Sequence, residues 1–335
     1  MSENGDPAAV LMRLLWGYTT TGLVVAAMRL GLPDQLAGGP ATSAALAAAT
    51  ATDEPSLNRL LRALSSIGLT DEVEPGRYRL TPAGALLQTK SPTYAVARVS
   101  TDETVVDGWR DLDYSVRSGR PAFDRSYGTD FFTHLTRDPG LSALFNASMG
   151  EGTQDTADAI AKHHDFSRYR TVVDVGGGNG TLLAAILDAE PALRGIVHDS
   201  PEGVAEARDT LRAAGVADRC EVHAGDFFAA VPEGGDLYLL KNILHDWDDE
   251  RATRILANCH RTGGRVLLVE SVLPARVDPA GPPDAYLMDI NMLVNFGGRE
   301  RTEAEFHALL TAAGFAPAPA VRVAGLDEHL IEGTP

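Results

Sequence analysis

One histidine and two glutamates stand where side chains of an α/β protein can do chemistry. His245 follows the apolar run LYLLKNIL, Glu270 ends the apolar run RVLLVE, and Glu300 lies in the polar stretch GGRER. An imidazole can accept a proton from a reacting group, and a carboxylate beside it can fix its tautomer and stabilise its protonated form. We therefore predict a general base at His245, supported by Glu270 and Glu300. The alternatives are a structural histidine and an ordinary surface acid at position 300. Asp246 is expected to point elsewhere.

A second stretch, VVDVGGGNGT at residues 172–181, has the pattern of a buried strand that runs into a glycine-rich turn. Glycines let the backbone approach a ligand closely, and a helix beginning near Thr181 favours a negatively charged group such as a carboxylate. A dinucleotide fingerprint needs a third glycine where Thr181 stands, which disfavours a nicotinamide dehydrogenase. Asp199 follows Gly180 by 19 residues, ends the next strand, and is suitably placed for ribose hydroxyls.

Strands alternate with helices from about Tyr169 onward. This alternation predicts an open, parallel α/β sheet that binds ligands at the carboxyl ends of its strands. Ser200 and Pro201 are suited to the cap and first turn of the second helix. The last long helix has a capping box formed by Thr302 and Glu305. The tail APAVRVAGLDEHLIEG predicts a closing strand pair.

The first hundred residues predict a helical region with a winged-helix outline: helix, turn, a helix starting near Pro55, and a hairpin around EPGRY. DNA binding is disfavoured, because the charges from Asp53 to Ala95 sum to zero and the whole chain has a formal charge of −17. The opening stretch AVLMRLLWGYTTTGLVVAAMRLGLPDQLAG is apolar on nearly every helical face. We therefore expect it to be buried all round, in a subunit interface.

Length and composition set further limits. A chain of 335 residues with 44% hydrophobic residues is long enough for two domains. No uninterrupted apolar run approaches the ~18 residues that span a bilayer, so no membrane partner is expected. The two cysteines, Cys220 and Cys259, form no CxxC motif, which favours reduced thiols and a cytoplasmic location. No cluster of histidines and acids has the spacing of a metal site.

Six segments together resemble a known family. VVDVGGGNG, HDSPEGV, GDFF, LKNILHDWDDE, LLVES and FGGRERTEAEF are similar to the small-molecule O-methyltransferases that include plant caffeate-type and bacterial polyketide-tailoring enzymes. The resemblance runs over essentially the whole chain. It implies a Rossmann-like class I methyltransferase domain over residues 166–335 and a mainly helical, winged-helix-like dimerisation domain over residues 1–100. A helical connector over residues 101–165 would contribute to the substrate pocket, and the protein would be a homodimer.

The resemblance also implies a cofactor, S-adenosylmethionine (SAM), with S-adenosylhomocysteine as its product and no metal. Gly176 and Gly178 match the loop glycines, and Asp199 matches the acid that binds the ribose. Asp226 and Phe227 match residues beside the adenine. Lys241 matches a position near the cofactor, the alternative being a solvated strand end.

For the acceptor pocket, the resemblance implies five lining positions, each of which taken singly can equally be core: Phe132, Asn146, Met149, Met292 and Asn295. Methionines and aromatic rings are suited to a flat aromatic acceptor. We thus expect methylation of a phenolic hydroxyl on an aromatic secondary metabolite, with no nucleic-acid partner. The alternatives are a SAM-retaining hydroxylase or decarboxylase and a SAM-sensing winged-helix regulator.

The family assigns His245, Glu270 and Glu300 to the reaction, and simple magnitudes indicate what His245 must do. A phenol with a pKa near 10 and an imidazole with a pKa near 6.5 leave proton transfer roughly 5 kcal/mol uphill. We expect the positive charge of the cofactor to offset most of this difference.

Overall fold

The computed structural model describes residues 6–150, 153–279 and 281–335. The chain divides into two units, Met1–Glu103 and Thr104–Pro335. Each unit has its own buried apolar core: one cluster in the first unit, and two larger ones on the sheet of the second.

The first unit is mainly helical, with one small antiparallel sheet in the order β1-β3-β2. Its elements are α1 Pro7–Leu15, α2 Gly17–Arg29, α3 Leu32–Gln35, β1 Ala41–Thr42, α4 Ser43–Thr50, α5 Glu54–Ser66, β2 Thr70–Glu74, β3 Arg77–Leu80, α6 Pro82–Ala85 and α7 Tyr94–Ser100. The Asp53 carboxylate caps α5 by accepting a hydrogen bond from the Ser56 amide. Helix α5 buries Leu57, Leu61 and Leu64. The predicted winged-helix outline is confirmed.

Helices α1 and α2 are exposed within the chain. Leu14 is 72% exposed and Tyr18 73%, and Ala27 is the single buried residue described in the two helices. One chain alone therefore does not bury this stretch, and its burial in a subunit interface stays a prediction. Pro7–Arg29, with a mean hydropathy of 1.3, is also long and apolar enough to cross a membrane by length and composition. Arg13 and the threonines interrupt the apolar run, as expected, but the average hydropathy of the stretch stays high.

The second unit begins with six helices, as predicted for a helical connector: α8 Glu103–Arg110, α9 Leu112–Ser118, α10 Ala122–Tyr127, α11 Phe131–Arg137, α12 Pro139–Gly150 and α13 Thr153–His163. Aromatic rings hold this region together. The ring of Phe131 lies 5.2 Å from that of Phe123 and 4.7 Å from that of Phe296.

A nine-stranded sheet forms the centre of the second unit. Its main path runs β10-β12-β8-β7-β4-β5-β6, with β9 paired to β8 and β11 paired to β12. The strands are β4 Thr171–Val175, β5 Arg194–Asp199, β6 Cys220–Ala224, β7 Leu237–Lys241, β8 Arg265–Leu273, β9 Arg301–Thr302, β10 Ala316–Pro317, β11 Val321–Arg322 and β12 Glu328–Thr334. Strands β4 to β8 are mutually parallel and β12 is antiparallel to β8, so the predicted parallel sheet and its closing strands are confirmed.

Five further α-helices accompany the sheet: α14 Thr181–Ala189, α15 Ala207–Ala213, α16 Asp249–His260, α17 Asp284–Asn291 and α18 Glu303–Ala312. A π-helix, Met292–Phe296, extends α17, and 3₁₀ turns lie at Phe166–Arg168 and Leu244–Asp246. The predicted capping box of Thr302 and Glu305 begins α18.

The second helix starts later than predicted, at Ala207 instead of at Ser200 and Pro201. The Ser200 hydroxyl accepts a hydrogen bond from the Gly203 amide at 3.0 Å. The Gly203 backbone also lies against Asp199, since a Cβ there would be 2.4 Å from the carboxylate. Residues 201–206 are therefore turns around Asp199 and not the first turns of a helix.

Candidate active site

The glycine loop follows the carboxyl end of β4 and has a backbone conformation that favours glycine. Gly176, Gly178 and Gly180 have φ angles of +75°, +52° and +78°, a region that other residues rarely adopt. A Cβ on Gly176 would lie 2.2 Å from the Ile243 side chain, whereas Gly178 has nothing within 4 Å of that position. The loop therefore packs tightly at Gly176 and offers open space at Gly178.

Two carboxylates meet the loop. Asp199, at the end of β5, accepts hydrogen bonds from the amides of Gly178 at 2.9 Å and Ser200 at 2.6 Å. Asp174, in β4, is 2% exposed, and its Oδ2 atom has no hydrogen-bond partner among the described residues. Burial, together with the charge of Asp199 and against that of Lys241, raises the pKa of Asp174 to about 7.

The residues after β6 and β7 complete this edge of the sheet. Asp226 is exposed and its carboxylate accepts a hydrogen bond from the Phe228 amide at 2.8 Å. The ring of Phe227 lies 6.1 Å from that of Trp247. Lys241, at the end of β7, is half-buried, and burial lowers its pKa against the opposing charges of Glu328, Glu270 and Asp174. Lys241 is therefore not a freely solvated strand end.

This arrangement fits the cofactor that the resemblance implies. The open backbone at Gly178 allows close approach, and the orphaned Asp174 carboxylate favours a cationic group such as an ammonium. Asp199 has the acceptor oxygens that a ribose diol requires, and Asp226 with Phe227 offers an acceptor and a ring for a base.

His245 lies in the 3₁₀ turn that follows β7, with a carboxylate near each ring nitrogen. Its Nδ1 is 2.9 Å from Glu300 Oε1, and its Nε2 is 3.6 Å from Asp246 Oδ1. Burial by itself would lower the pKa of His245, but Asp246, Glu300 and Glu270 raise it to about 10. The expectation that Asp246 points elsewhere is wrong. Burial raises the pKa of Asp246 to about 6, and the imidazole lies between this carboxylate and that of Glu300.

Glu270 takes a different place from the one expected of a partner to the imidazole. It is fully buried, and its Oε1 accepts hydrogen bonds from the backbone amides of Ile243 at 3.1 Å and Leu244 at 2.8 Å. Its Oε2 has no hydrogen-bond partner within the described part of the chain. Burial raises the pKa of Glu270 to about 7, with His245 opposing. Glu270 therefore holds the turn that carries His245 and reaches the imidazole through charge alone.

The GGRER segment packs directly on the histidine turn. A Cβ on Gly298 would lie 1.9 Å from the His245 carbonyl oxygen, so only glycine allows this approach. The Arg299 amide donates to that same carbonyl at 2.8 Å, and the Glu300 amide donates to Asp289 Oδ1 at 2.9 Å. These contacts explain why a double glycine precedes the Glu300 carboxylate.

Aromatic rings form a wall near the histidine turn. Phe132 stacks on Trp247 with centroids 5.2 Å apart and planes at 30°, and Phe228 packs edge-on against Trp247 at 4.7 Å. Trp247 lies two residues after His245 and was not among the predicted site residues, although it belongs to the segment LKNILHDWDDE. The wall therefore includes one of the five predicted pocket residues.

The other four predicted pocket residues form two groups. Met292 and Asn295 are buried in the π-helix, where Asn295 Nδ2 donates to Asn291 Oδ1 at 2.9 Å. Asn146 and Met149 lie on α12: Asn146 Nδ2 is 3.5 Å from the Glu202 carbonyl, and Met149 is 56% exposed. Helix α12 therefore faces the segment after Asp199, on the side of the glycine loop.

Metal-binding side chains do not converge in the described residues. Within residues 6–150, 153–279 and 281–335, no three or more histidines, cysteines or acids form a group that could hold a metal ion.

Two family models match the chain. An O-methyltransferase domain covers residues 109–316, and an O-methyltransferase dimerisation domain covers residues 12–90. O-demethylpuromycin-O-methyltransferase from Streptomyces alboniger is 46% identical over 100% of this chain and 93% of its own length.

Solved structures give the same result. The mitomycin 7-O-methyltransferase MmcR superposes with a TM-score of 0.91 at 35% identity, covering 98% of this chain and 97% of that one. The O-methyltransferase NcsB1 from neocarzinostatin biosynthesis, in complex with SAM and 2-hydroxy-5-methyl naphthoic acid, has a TM-score of 0.81 at 35% identity. This match covers 94% of this chain and 95% of the NcsB1 chain. The predicted fold and the predicted use of SAM are confirmed by these matches. The chain therefore belongs to the O-methyltransferase family.

Proposed function

We propose that this enzyme methylates a phenolic hydroxyl of an aromatic natural product, with His245 as the general base. The observation that supports this most is the partly buried hydrogen bond between His245 Nδ1 and Glu300 Oε1, 2.9 Å long, at the carboxyl edge of the sheet. Methyl transfer to a hydroxyl requires a group that takes the proton as the oxygen attacks. His245 stands at this edge with its side chain 15% exposed and its Nδ1 bonded to a carboxylate.

The hydrogen bond also defines which nitrogen reacts. A carboxylate can only accept, so Nδ1 carries the hydrogen in the His245–Glu300 pair. In the neutral imidazole, Nε2 then has a free lone pair and can receive the acceptor's proton. The Asp246 carboxylate, 3.6 Å from Nε2, stabilises the positive charge that results. Glu270 fixes the turn by holding the amides of Ile243 and Leu244.

The carboxylates themselves narrow the energy difference for proton transfer. With a pKa of about 10, His245 is matched to a phenol, whose ordinary pKa is also near 10. Asp246 and Glu300 thus act on the same energy difference that the cofactor's charge is expected to offset. The same pKa keeps His245 protonated in the free protein at neutral pH, so we infer that turnover needs a second cation nearby. When bound, SAM supplies a methyl group on a positively charged sulfur.

A hydroxyl acceptor is preferred over an amine for a chemical reason. Two of the related proteins are named as N-methylating enzymes, so the family alone leaves the acceptor atom open. A neutral amine attacks through its lone pair and can lose its proton afterwards, whereas a phenol is a poor nucleophile until its proton is withdrawn. The charge-supported base at His245 is the feature that a phenol requires.

The proposed acceptor is flat and aromatic. The stacked pair of Phe132 and Trp247, with Phe296 beside Phe132 at 5.8 Å, offers ring faces near the histidine turn. The related MmcR and NcsB1 are named for mitomycin and for neocarzinostatin biosynthesis, which supports a tailoring role on a polyketide-type or similar product. We further propose a cytoplasmic homodimer, in agreement with the dimerisation domain and with two free cysteines.

The test is a methyl-transfer assay with matched acceptors. The protein is incubated with SAM and pairs of aromatic compounds that differ only in carrying a hydroxyl or an amine at one ring position, and products are identified by mass spectrometry. We expect products heavier by one methyl group from the hydroxyl member of a pair. Transfer to the amine members alone would contradict the proposal, and an oxygenated or decarboxylated product would favour the hydroxylase or decarboxylase alternative.

A further inference from the structure

A buried arginine lies outside the predicted site and contacts both of its halves. Arg301, in β9, is 0% exposed. Its guanidinium donates to the carbonyl oxygens of Leu244 at 2.8 Å, Trp247 at 2.7 Å and Arg299 at 3.4 Å. It also donates to Asp249 Oδ1 from Nε at 3.0 Å and from Nη2 at 2.8 Å. An arginine has five N–H donors, and all five are used here.

The acceptors of Arg301 bracket the catalytic pair. The carbonyls of Leu244 and Trp247 stand on either side of His245 and Asp246 in the chain, and that of Arg299 directly precedes Glu300. Asp249, the first residue of α16, holds the other edge of the guanidinium. One planar group thus ties the histidine turn to the glutamate segment.

The chemistry of this position requires arginine. A lysine has three donors on a single nitrogen and cannot satisfy acceptors spread around a flat fork. Losing the guanidinium would leave the buried carbonyl oxygens without partners, and they would have to move to find water or other donors. Such a movement would change the separation of the His245 and Glu300 side chains, since their backbones are the ones that Arg301 connects.

We propose that Arg301 is the positioning residue that sets the hydrogen bond between His245 and Glu300. This inference rests on the proposed role of His245 as the base. Arg301 acts through the backbone on both sides of the pair and does not itself contact the reacting groups. Its closest carbonyl contacts belong to residues one and two positions from His245.

The chain offers a matched control for a merely structural arginine. Arg219 donates to three backbone carbonyls, those of Glu190, Leu193 and Leu187, at 2.9 to 3.1 Å. These acceptors belong to the end of α14 and the segment before β5, away from His245. Both Arg301→Lys and Arg219→Lys therefore remove hydrogen bonds from a guanidinium to backbone carbonyls. Only those of Arg301 involve the turn that carries His245.

The experiment follows the His245 imidazole directly, in the cofactor-free full-length protein labelled with ¹⁵N-histidine. We expect Arg301→Lys to weaken or remove the low-field resonance of the Nδ1 proton and to lower the pKa of His245. Turnover with SAM should fall about 10- to 100-fold, since small misplacements of reacting groups have effects of this size. The affinity for SAM should change less than about 3-fold. In Arg219→Lys, the Nδ1 proton resonance and the pKa of His245 and the turnover should stay as in the wild type, even if the melting temperature of the variant falls.

An unchanged His245 resonance and pKa in Arg301→Lys would overturn the proposal, as would an equal loss of turnover in Arg219→Lys. A changed resonance with unaltered turnover would support the positioning role and count against His245 as the base. If Arg301→Lys does not fold, Asp249→Asn decides. This change removes the charge of Asp249, the exposed partner of the buried guanidinium, and so weakens the hold on Arg301. We expect a weakened resonance of the Nδ1 proton and turnover reduced roughly 3- to 10-fold. A wild-type resonance in Asp249→Asn would overturn the inference.

Discussion

The Nδ1 atom of His245 lies 2.9 Å from Oε1 of Glu300, a carboxylate 55 residues further along the chain whose side chain is 1% exposed. Two segments produce this contact: the turn after β7, and the double-glycine segment that packs against the carbonyl oxygen of His245. The contact orients the imidazole and raises its basicity, which is what a general base needs.

The two predicted supporting glutamates should differ in their effect on His245. Glu300→Gln removes the anion that accepts from Nδ1, so the pKa of His245 should fall by about 1 to 2 units and turnover by about 10- to 100-fold. Glu270→Gln keeps an oxygen that can accept from the amides of Ile243 and Leu244. We therefore expect a smaller fall in pKa and less than about a 10-fold loss of turnover. An NMR titration of His245 measures both shifts, and equal shifts in the two variants would contradict the distinction.

Cofactor and product should have different effects on His245. SAM carries a positive charge on sulfur and S-adenosylhomocysteine does not, so the former should disfavour the imidazolium and lower the pKa of His245. In the free protein this pKa is about 10. We expect it to be lower by at least about one unit with SAM than with S-adenosylhomocysteine, measured by NMR on each complex. Equal pKa values in the two complexes would argue against the release of a proton from His245 on cofactor binding.

Asp174 should make the stability of the cofactor-free protein depend on pH. Its pKa is raised from an ordinary 3.8 to about 7, so the folded state binds this proton more tightly than the unfolded chain. The resulting stability is fully present below pH 3.8 and is lost as pH rises through about 7. The whole effect corresponds to roughly 4 kcal/mol in the free energy of unfolding.

Asp174→Asn removes this titration. As the pH rises from 4.5 to 8, the wild type should lose stability from this group and the variant should not, so the free energy of unfolding of the variant should rise relative to that of the wild type. Binding of SAM should weaken in the variant because the orphaned carboxylate is gone. Chemical denaturation at the two pH values measures the first effect, and calorimetry the second. A stability difference that is the same at both pH values would show that Asp174 does not titrate in this range.

The exposed apolar face of the first two helices should be a subunit interface. Leu14→Glu places a charge at a side chain that is 72% exposed in the single chain, so it should leave folding intact and disrupt a dimer. Light scattering after gel filtration should show a wild-type dimer and a monomeric variant. Val321→Glu, at a residue 61% exposed in the second unit, is the matched control and should remain dimeric. A monomeric wild type would contradict the proposed dimer, and a dimeric Leu14→Glu would place the interface elsewhere.

Much of the fold and part of the site follow from local sequence patterns. The capping box of Thr302 and Glu305, the individual strands and the glycine loop are each determined by neighbouring residues, and their patterns can be read directly. The placement of Asp199 beside Gly178 follows from strand ends meeting at one edge of the sheet.

Other features depend on contacts between distant segments, which no local pattern contains. The orientation of Asp246 toward Nε2, the choice of backbone amides as partners of Glu270, and the five donor contacts of Arg301 all arise from packing. The late start of α15 has a local origin instead, because the Gly203 backbone packs against the Asp199 carboxylate and its amide donates to the Ser200 hydroxyl.

The central claim is that His245 takes the proton of the acceptor, and one measurement tests it most directly. Methyl transfer from SAM to a phenol is followed by mass spectrometry in the wild type and in His245→Ala, with SAM affinity measured in both by calorimetry. We predict that turnover falls about 10²- to 10⁴-fold in His245→Ala while SAM affinity stays nearly unchanged. Comparable turnover in the variant would contradict the account.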